Sequence, residues 1–178
     1  MANVPQDQSW FEGNDSSVID ASFKDYQITA TPNDFNVKTI CDFIESGVVK
    51  IPSFQRNYVW DLQRASKLIE SILIGLPIPQ IFLYEEARNS FLVIDGQQRM
   101  MSIFYFFKSR FPRKEKRLEL RKIFADERKI PERIFADDTY FSKFNLDLPQ
   151  GTPGTFSRFH GKNYSTLDDY QLACTRFG

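Results

Sequence analysis

Two short runs carry the polar chemistry of this sequence: Asp95-Gly96-Gln97-Gln98-Arg99 and Phe54-Gln55-Arg56-Asn57-Tyr58-Val59-Trp60. The first sits between two apolar stretches, FLVID and MMSIF, so it reads as the turn between a buried strand and a buried helix. Such a turn leaves backbone N–H groups free where the helix begins, and with the positive end of the helix dipole they suit an anion. Gly96 lets the backbone approach a ligand closely. Arg99 adds a planar charged fork for phosphate or carboxylate. Asp95 would hold Arg99 or ligate a Mg²⁺ ion bridging phosphate oxygens, and the amides of Gln97 and Gln98 would read a base or position a water. The competing reading is local: Asp95 caps the helix, Arg99 pairs with it and both glutamines face solvent.

The second run places a guanidinium, two amides and three aromatic rings on one loop, the mixture that holds a nucleobase by stacking and hydrogen bonds. Its plainer reading puts Phe54 and Trp60 in the core and Arg56 on the surface. Other chemistries lack parts. No G-x-x-x-x-G-K-[ST] phosphate loop occurs. His160 is the single histidine, so triads and multi-histidine metal sites cannot be assembled from this sequence. Cys41 and Cys174 lie far apart without metal-like spacing, which fits a reducing, cytoplasmic setting. No apolar run approaches the ~18 residues of a membrane span.

The elements that must position these runs follow from periodicity. Asn36 is placed to cap a helix whose Val37, Ile40, Cys41 and Ile44 share a face, with Gly47 at its end. VVKI (48–51) reads as a short strand, and Asp61 caps a second helix with the stripe Ala65, Leu68, Ile69, Ile72 and Leu73. IFLYE (81–85) and FLVID (91–95) read as a hairpin, and Gln97 to about Lys108 as a helix. Beyond residue 110, Arg113–Phe124 is expected to be a basic helix, Phe144, Leu146 and Leu148 alternate as a strand would, and Ser165 or Thr166 is expected to cap a last helix. The fold class is α+β. A polar arm (1–34) precedes a core (35–110), and 111–178 extends the same domain.

At 178 residues, 42% hydrophobic and 26% charged, the chain has the composition of one globular domain. Its 18 phenylalanines imply a Phe-rich core. Net charge is zero but uneven: eight basic residues and two acids lie between Lys108 and Lys122. Arg113, Lys114, Lys116 and Arg117 are the candidates there for contact with a DNA backbone, against the alternative of a solvated helix face.

Taken together and in order, IPSFQRNYVW, GLPIPQIFLYE and FLVIDGQQRMMSIF resemble the N-terminal domain of GmrSD-type modification-dependent restriction enzymes, with a weaker echo at FHGKNYSTLDD (159–169). That domain also occurs in the phosphorothioate-sensing protein SspE and in BREX-associated nucleases. The resemblance implies a ParB/sulfiredoxin-like small mixed sheet flanked by helices, and binding or hydrolysis of nucleoside triphosphate with Mg²⁺. Asp95, Gln97, Gln98 and Arg99 would be catalytic, while Phe54, Gln55, Arg56, Tyr58, Gly96 and Arg99 would bind the nucleotide. It further implies DNA, modified or not, as a partner, and a histidine-asparagine-histidine nuclease as a separate domain or subunit; association of like chains is compatible with it. The alternatives are a non-catalytic module that recognises modified DNA or uses nucleotide only as a switch, and, third, a direct DNA nuclease.

Overall fold

Where the sequence offers a capping side chain, a helix begins. Asn36 accepts from the Thr39 N–H at 2.8 Å and opens α1 (Val37–Glu45), which closes at Gly47 with φ +72°. Asp61 accepts from the Arg64 N–H at 2.7 Å and opens α2 (Leu62–Leu73), after β1 (Val49–Lys50). The expected stripe of α2, from Ala65 to Leu73, is buried throughout. The computed structural model describes residues 30–52, 56–148 and 157–167. Residues 30–33 belong to a separate unit, Met1–Asn33, and are exposed.

The hairpin forms as β2 (Phe82–Ala87) and β3 (Ser90–Asp95), turning at Asn89 with φ +58°. β3 is central, pairing antiparallel with β2 and parallel with β1, so the order is β1-β3-β2 and α2 lies in the crossover. One face of this sheet is covered, since Val93 is fully buried; Phe82, Tyr84 and Ile94 remain exposed. α3 (Gln97–Phe107) leaves β3 directly and is buried almost all round, from Met100 to Phe106. It is the central helix of the core.

The chain beyond α3 folds onto it. β4 (Arg110–Pro112) and β5 (Phe141–Lys143) form a two-stranded antiparallel ribbon, with α4 (Arg117–Glu127) and α5 (Glu132–Ala136) between them in sequence. The phenylalanines do build the core here. Phe141 stacks on Phe135 at 4.8 Å between centroids, and Phe135 meets Phe104 of α3 edge-on at 5.6 Å. Lys108, just past α3, reaches Glu45 at 2.6 Å and Glu132 at 3.3 Å, linking α1 to α5. The architecture is α+β: small mixed sheets flanked by helices.

Three expectations beyond residue 110 change. The basic stretch does not run as one helix: Arg113 is extended and donates its N–H to the Tyr140 carbonyl, and a single 3-10 turn (Lys114–Lys116) precedes α4. Phe144, Leu146 and Leu148 are buried as their alternation implies but do not form a strand. Their neighbourhood is tied instead by scattered bonds, Asp147 N–H to Ser66 Oγ (2.9 Å) and Leu148 N–H to His160 Nδ1 (3.1 Å). The cap near 165 is Asn163, which exchanges bonds with Thr166 around a 3-10 turn (Tyr164–Thr166); the helix expected after it lies outside the described residues.

If the segment after α3 is part of the same core, Phe141→Ala should lower unfolding stability by about 3–5 kcal/mol, read from the urea midpoint in a single transition. A loss under about 1 kcal/mol, or two separate transitions, would contradict the packing described.

Candidate nucleotide site

The turn from β3 to α3 is built on Gly96, whose φ of +93° lies in the left-handed region. A Cβ there would sit 2.9 Å from Ile81 Cγ1, 3.1 Å from Ile81 Cα and 3.2 Å from Arg99 Nη2, so glycine is required by space as well as by conformation. Gly96, and not Asp95, occupies the capping position, and no side chain caps α3. The helical ladder starts with the Met100 N–H on the Gly96 carbonyl at 2.9 Å. The N–H groups of Gln97, Gln98 and Arg99 precede it and keep their donor capacity for an anion.

From this turn the side chains go three ways. Arg99 folds back over the glycine: its Nη2 donates to the Asp95 carboxylate at 2.8 Å and to the Gln80 carbonyl at 2.9 Å, while its Nε is buried with no acceptor among the described residues. The Arg99 guanidinium, with the Gly96 backbone, holds the Asp95 carboxyl below its ordinary range. Asp95 is itself two-thirds exposed, at 66%.

Gln98 points to the other motif, the 57–60 segment. Its Oε1 accepts from the N–H groups of Val59 (2.8 Å) and Trp60 (3.3 Å), and its Nε2 donates to the Asn57 carbonyl (3.0 Å). The amide is thereby committed to holding the 57–60 segment against α3. Gln97 is 9% exposed and borders a cavity that is open to solvent on one side. Neither glutamine faces solvent, which removes that part of the local reading.

Phe54 and Gln55 lie outside the described residues, and Arg56 is exposed. Tyr58 is buried. Its hydroxyl lies 2.8 Å from Ser102 Oγ, and because Ser102 donates its own proton to the Gln98 carbonyl at 2.7 Å, Tyr58 is the donor to Ser102. Burial pushes the Tyr58 hydroxyl well above its ordinary pKa, so it stays protonated and keeps that bond.

The basic residues divide. Arg113 and Lys114 are exposed, Arg113 donating to the Asp138 carbonyl at 2.7 Å. Lys116 pairs with Glu119 at 2.8 Å and lies over the Tyr140 ring, whose hydroxyl donates to the same Glu119. Arg117 is turned inward, over the rings of Tyr58 and Phe111 and within 3.4 Å of the Tyr58 carbonyl. Arg121, one turn on, donates to Asn57 Oδ1 at 3.0 Å. Arg121 and Ser102 were not among the sequence candidates. The spacing of Arg117 and Arg121 on one helix face was a legible sign for the first; nothing local marks Ser102. Among the described residues no group of three or more histidines, cysteines or carboxylates could hold a metal ion. An exposed Asp95 fits the weaker demand of Mg²⁺ carried in on phosphate oxygens, which needs one or two protein carboxylates.

Residues 37–176 match the GmrSD restriction endonuclease N-terminal domain. The chain belongs to that family. Among curated relatives, this GmrSD N-terminal domain is similar to the uncharacterized protein MJ0686 of Methanocaldococcus jannaschii, 31% identical over an alignment of 107 residues that takes in 44% of this chain and 18% of the relative. The chain thus spans about a fifth of the length of that relative. No solved structure matches it. Among the described residues no helix is long and apolar enough to cross a membrane.

Gln98→Leu should strand the Val59 N–H and the Asn57 carbonyl, at a cost of about 1–3 kcal/mol in urea unfolding, with a changed emission of Trp60 in the folded state. An unaltered midpoint and spectrum would show that the amide does not hold the segment. Asp95 gives a second check. Its folded pKa is depressed, so the pairing with Arg99 is present above the unfolded pKa and lost as pH falls through the folded one. A carbon-13 titration of the Asp95 carboxyl should have its midpoint below 3.8, and Arg99→Gln should raise it.

Proposed function

We propose that this domain is the nucleotide-responsive sensor of a modification-dependent restriction system, binding a nucleoside triphosphate at the start of α3 and acting on or in response to DNA through a nuclease carried elsewhere. The observation that carries the reading is the arrangement at Gly96: three N–H groups at the start of an eleven-residue helix beside the partly buried guanidinium of Arg99. The family's motifs and the ParB/sulfiredoxin-like likeness they imply support it.

In this account the phosphate chain lies against the first turn of α3, where the N–H groups and the helix dipole face it. Arg99 supplies positive charge to the terminal phosphate, and exposed Arg56 closes on it from the loop. Asp95 would hold Mg²⁺, which supplies charge neutralisation on the phosphate oxygens. Phosphoryl transfer asks mainly for position and charge.

Hydrolysis on this scheme is conditional. The Arg99 fork is shared between Asp95 and the Gln80 carbonyl, and the Gln98 amide is spent on the loop. Turnover requires Arg99 to exchange Asp95 for phosphate. That step gives DNA binding a place to act, because Arg117 and Arg121 of the basic segment touch the same loop that Gln98 holds. A switch that binds nucleotide without turning it over uses the same contacts, and the tied Arg99 is the observation in its favour.

Phosphate release from ATP, GTP and CTP, with and without modified DNA, separates these readings. We expect slow release by the protein alone and stimulation by DNA, with Arg99→Ala lowering the stimulated rate about 100-fold and Arg99→Lys failing to restore it, since lysine lacks the fork. Nucleotide binding without release under any condition leaves the switch. Full turnover in Arg99→Ala would refute the assignment of Arg99.

A further inference from the structure

The first turn of α3 has a second side. Gln97 turns away from Arg99, and none of Asp95, Gly96, Arg99, Gln80 or Ile81 borders the space it faces. That space is a cavity of about 270 Å³ between α3, the 56–60 segment and α4, walled chiefly by Tyr58, Met101, Tyr105, Leu120 and Phe124.

Gln97 is more than nine-tenths buried as a residue, but its amide atoms are not among the buried polar atoms left without a partner, so the amide meets the open side of the cavity. On a wall that is otherwise largely apolar, an amide supplies one donor and one acceptor side by side. Two of the neighbouring polar groups are already engaged. The Tyr58 hydroxyl is spent on Ser102, and Arg117 lies over the Tyr58 and Phe111 rings while bonding the carbonyls of Tyr58 and Pro112. The cavity therefore offers largely apolar walls with one paired donor and acceptor, and Arg117, Arg121 and Lys122 of α4 stand on its rim. Its volume is near the lower end of the ~300–1,000 Å³ found for ligand pockets. It suits one heterocycle and not a triphosphate chain.

We propose that this cavity is a nucleobase site in which the Gln97 amide reads the hydrogen-bonding edge of the ring. The matching ligand is a planar neutral heterocycle with donor and acceptor side by side, the pattern an amide side chain pairs with in two bonds. The base comes either from the free nucleotide or from a DNA strand that has turned one base out of its stack. The first source rests on the nucleotide reading above, since the cavity and the phosphate site share the first turn of α3; the second does not. Gln97 is then the specificity-determining residue of the motif, and Arg99 its phosphate residue.

Calorimetric titration of the full chain tests this with ATP, GTP, CTP, inorganic triphosphate, and single-stranded oligonucleotides with and without a modified base. Gln97→Leu keeps the volume and removes the edge. Ala125→Trp fills the cavity from an exposed position on α4, so it serves as a second variant independent of the amide. The wild type should distinguish among the bases. Both variants should weaken the preferred base-bearing probe about tenfold, Gln97→Leu should erase the distinction, and neither should change binding of inorganic triphosphate. Losses confined to the free nucleotides assign the base to the triphosphate; losses confined to the oligonucleotides assign it to DNA. Unchanged binding of every base-bearing probe in both variants, with inorganic triphosphate still bound, overturns the base site and leaves the phosphate reading standing. Failure of the wild type to bind any probe overturns both.

Discussion

The amide of Gln98 is the constraint on which the site depends. One side chain in the first turn of α3 accepts two backbone N–H groups and donates to one carbonyl of a segment some forty residues earlier in the chain. Those backbone groups belong to a stretch without regular structure, where each unpaired group would carry its own desolvation cost. Three bonds from one amide fix the path of the segment and, with it, the position of Tyr58. The two sequence motifs become one structural unit through this contact.

α4 completes the enclosure from the other side. Arg117 caps the Tyr58 ring and Arg121 holds the Asn57 side chain, so the 57–60 segment is gripped by α3 through Gln98 and by α4 through two arginines. Cationic side chains over aromatic faces add to packing where they are partly shielded from water. The basic segment is thus partly spent inside the domain. Arg113 and Lys114 remain at the surface, three to four residues before the helix that holds the loop.

How much of this could be read in the sequence depended on the distance over which each interaction acts. Asn36 and Asp61 bond to backbone three residues away, and both helices start where those residues place them. The stripe of α2 and the β2–β3 hairpin are equally local, and the strand–glycine–helix turn at Gly96 followed from its apolar flanks. The direction of each side chain in the motif did not. Gln97, Gln98 and Arg99 look alike as a polar run, and only the partners brought by the fold send them to a cavity, a loop and a carboxylate. Phe144, Leu146 and Leu148 show the same limit, because alternation reports burial, whereas a strand needs a neighbour with a matching ladder, and here isolated partners (the Ser109 and Lys162 carbonyls and the His160 side chain) take the three N–H groups one by one. Arg117 read as surface charge because its rings lie elsewhere in the chain.

The central claim is that the start of α3 receives phosphate and passes the event to the 57–60 segment through Gln98. Backbone amide resonances measured during titration with a non-hydrolysable Mg²⁺–triphosphate address it directly. The account predicts the largest shifts at Gln97, Gln98 and Arg99, accompanied by shifts at Val59 and Trp60 that vanish in Gln98→Leu while those of α3 persist. Binding that leaves the first turn of α3 unperturbed, with its shifts gathered elsewhere in the domain, would contradict it.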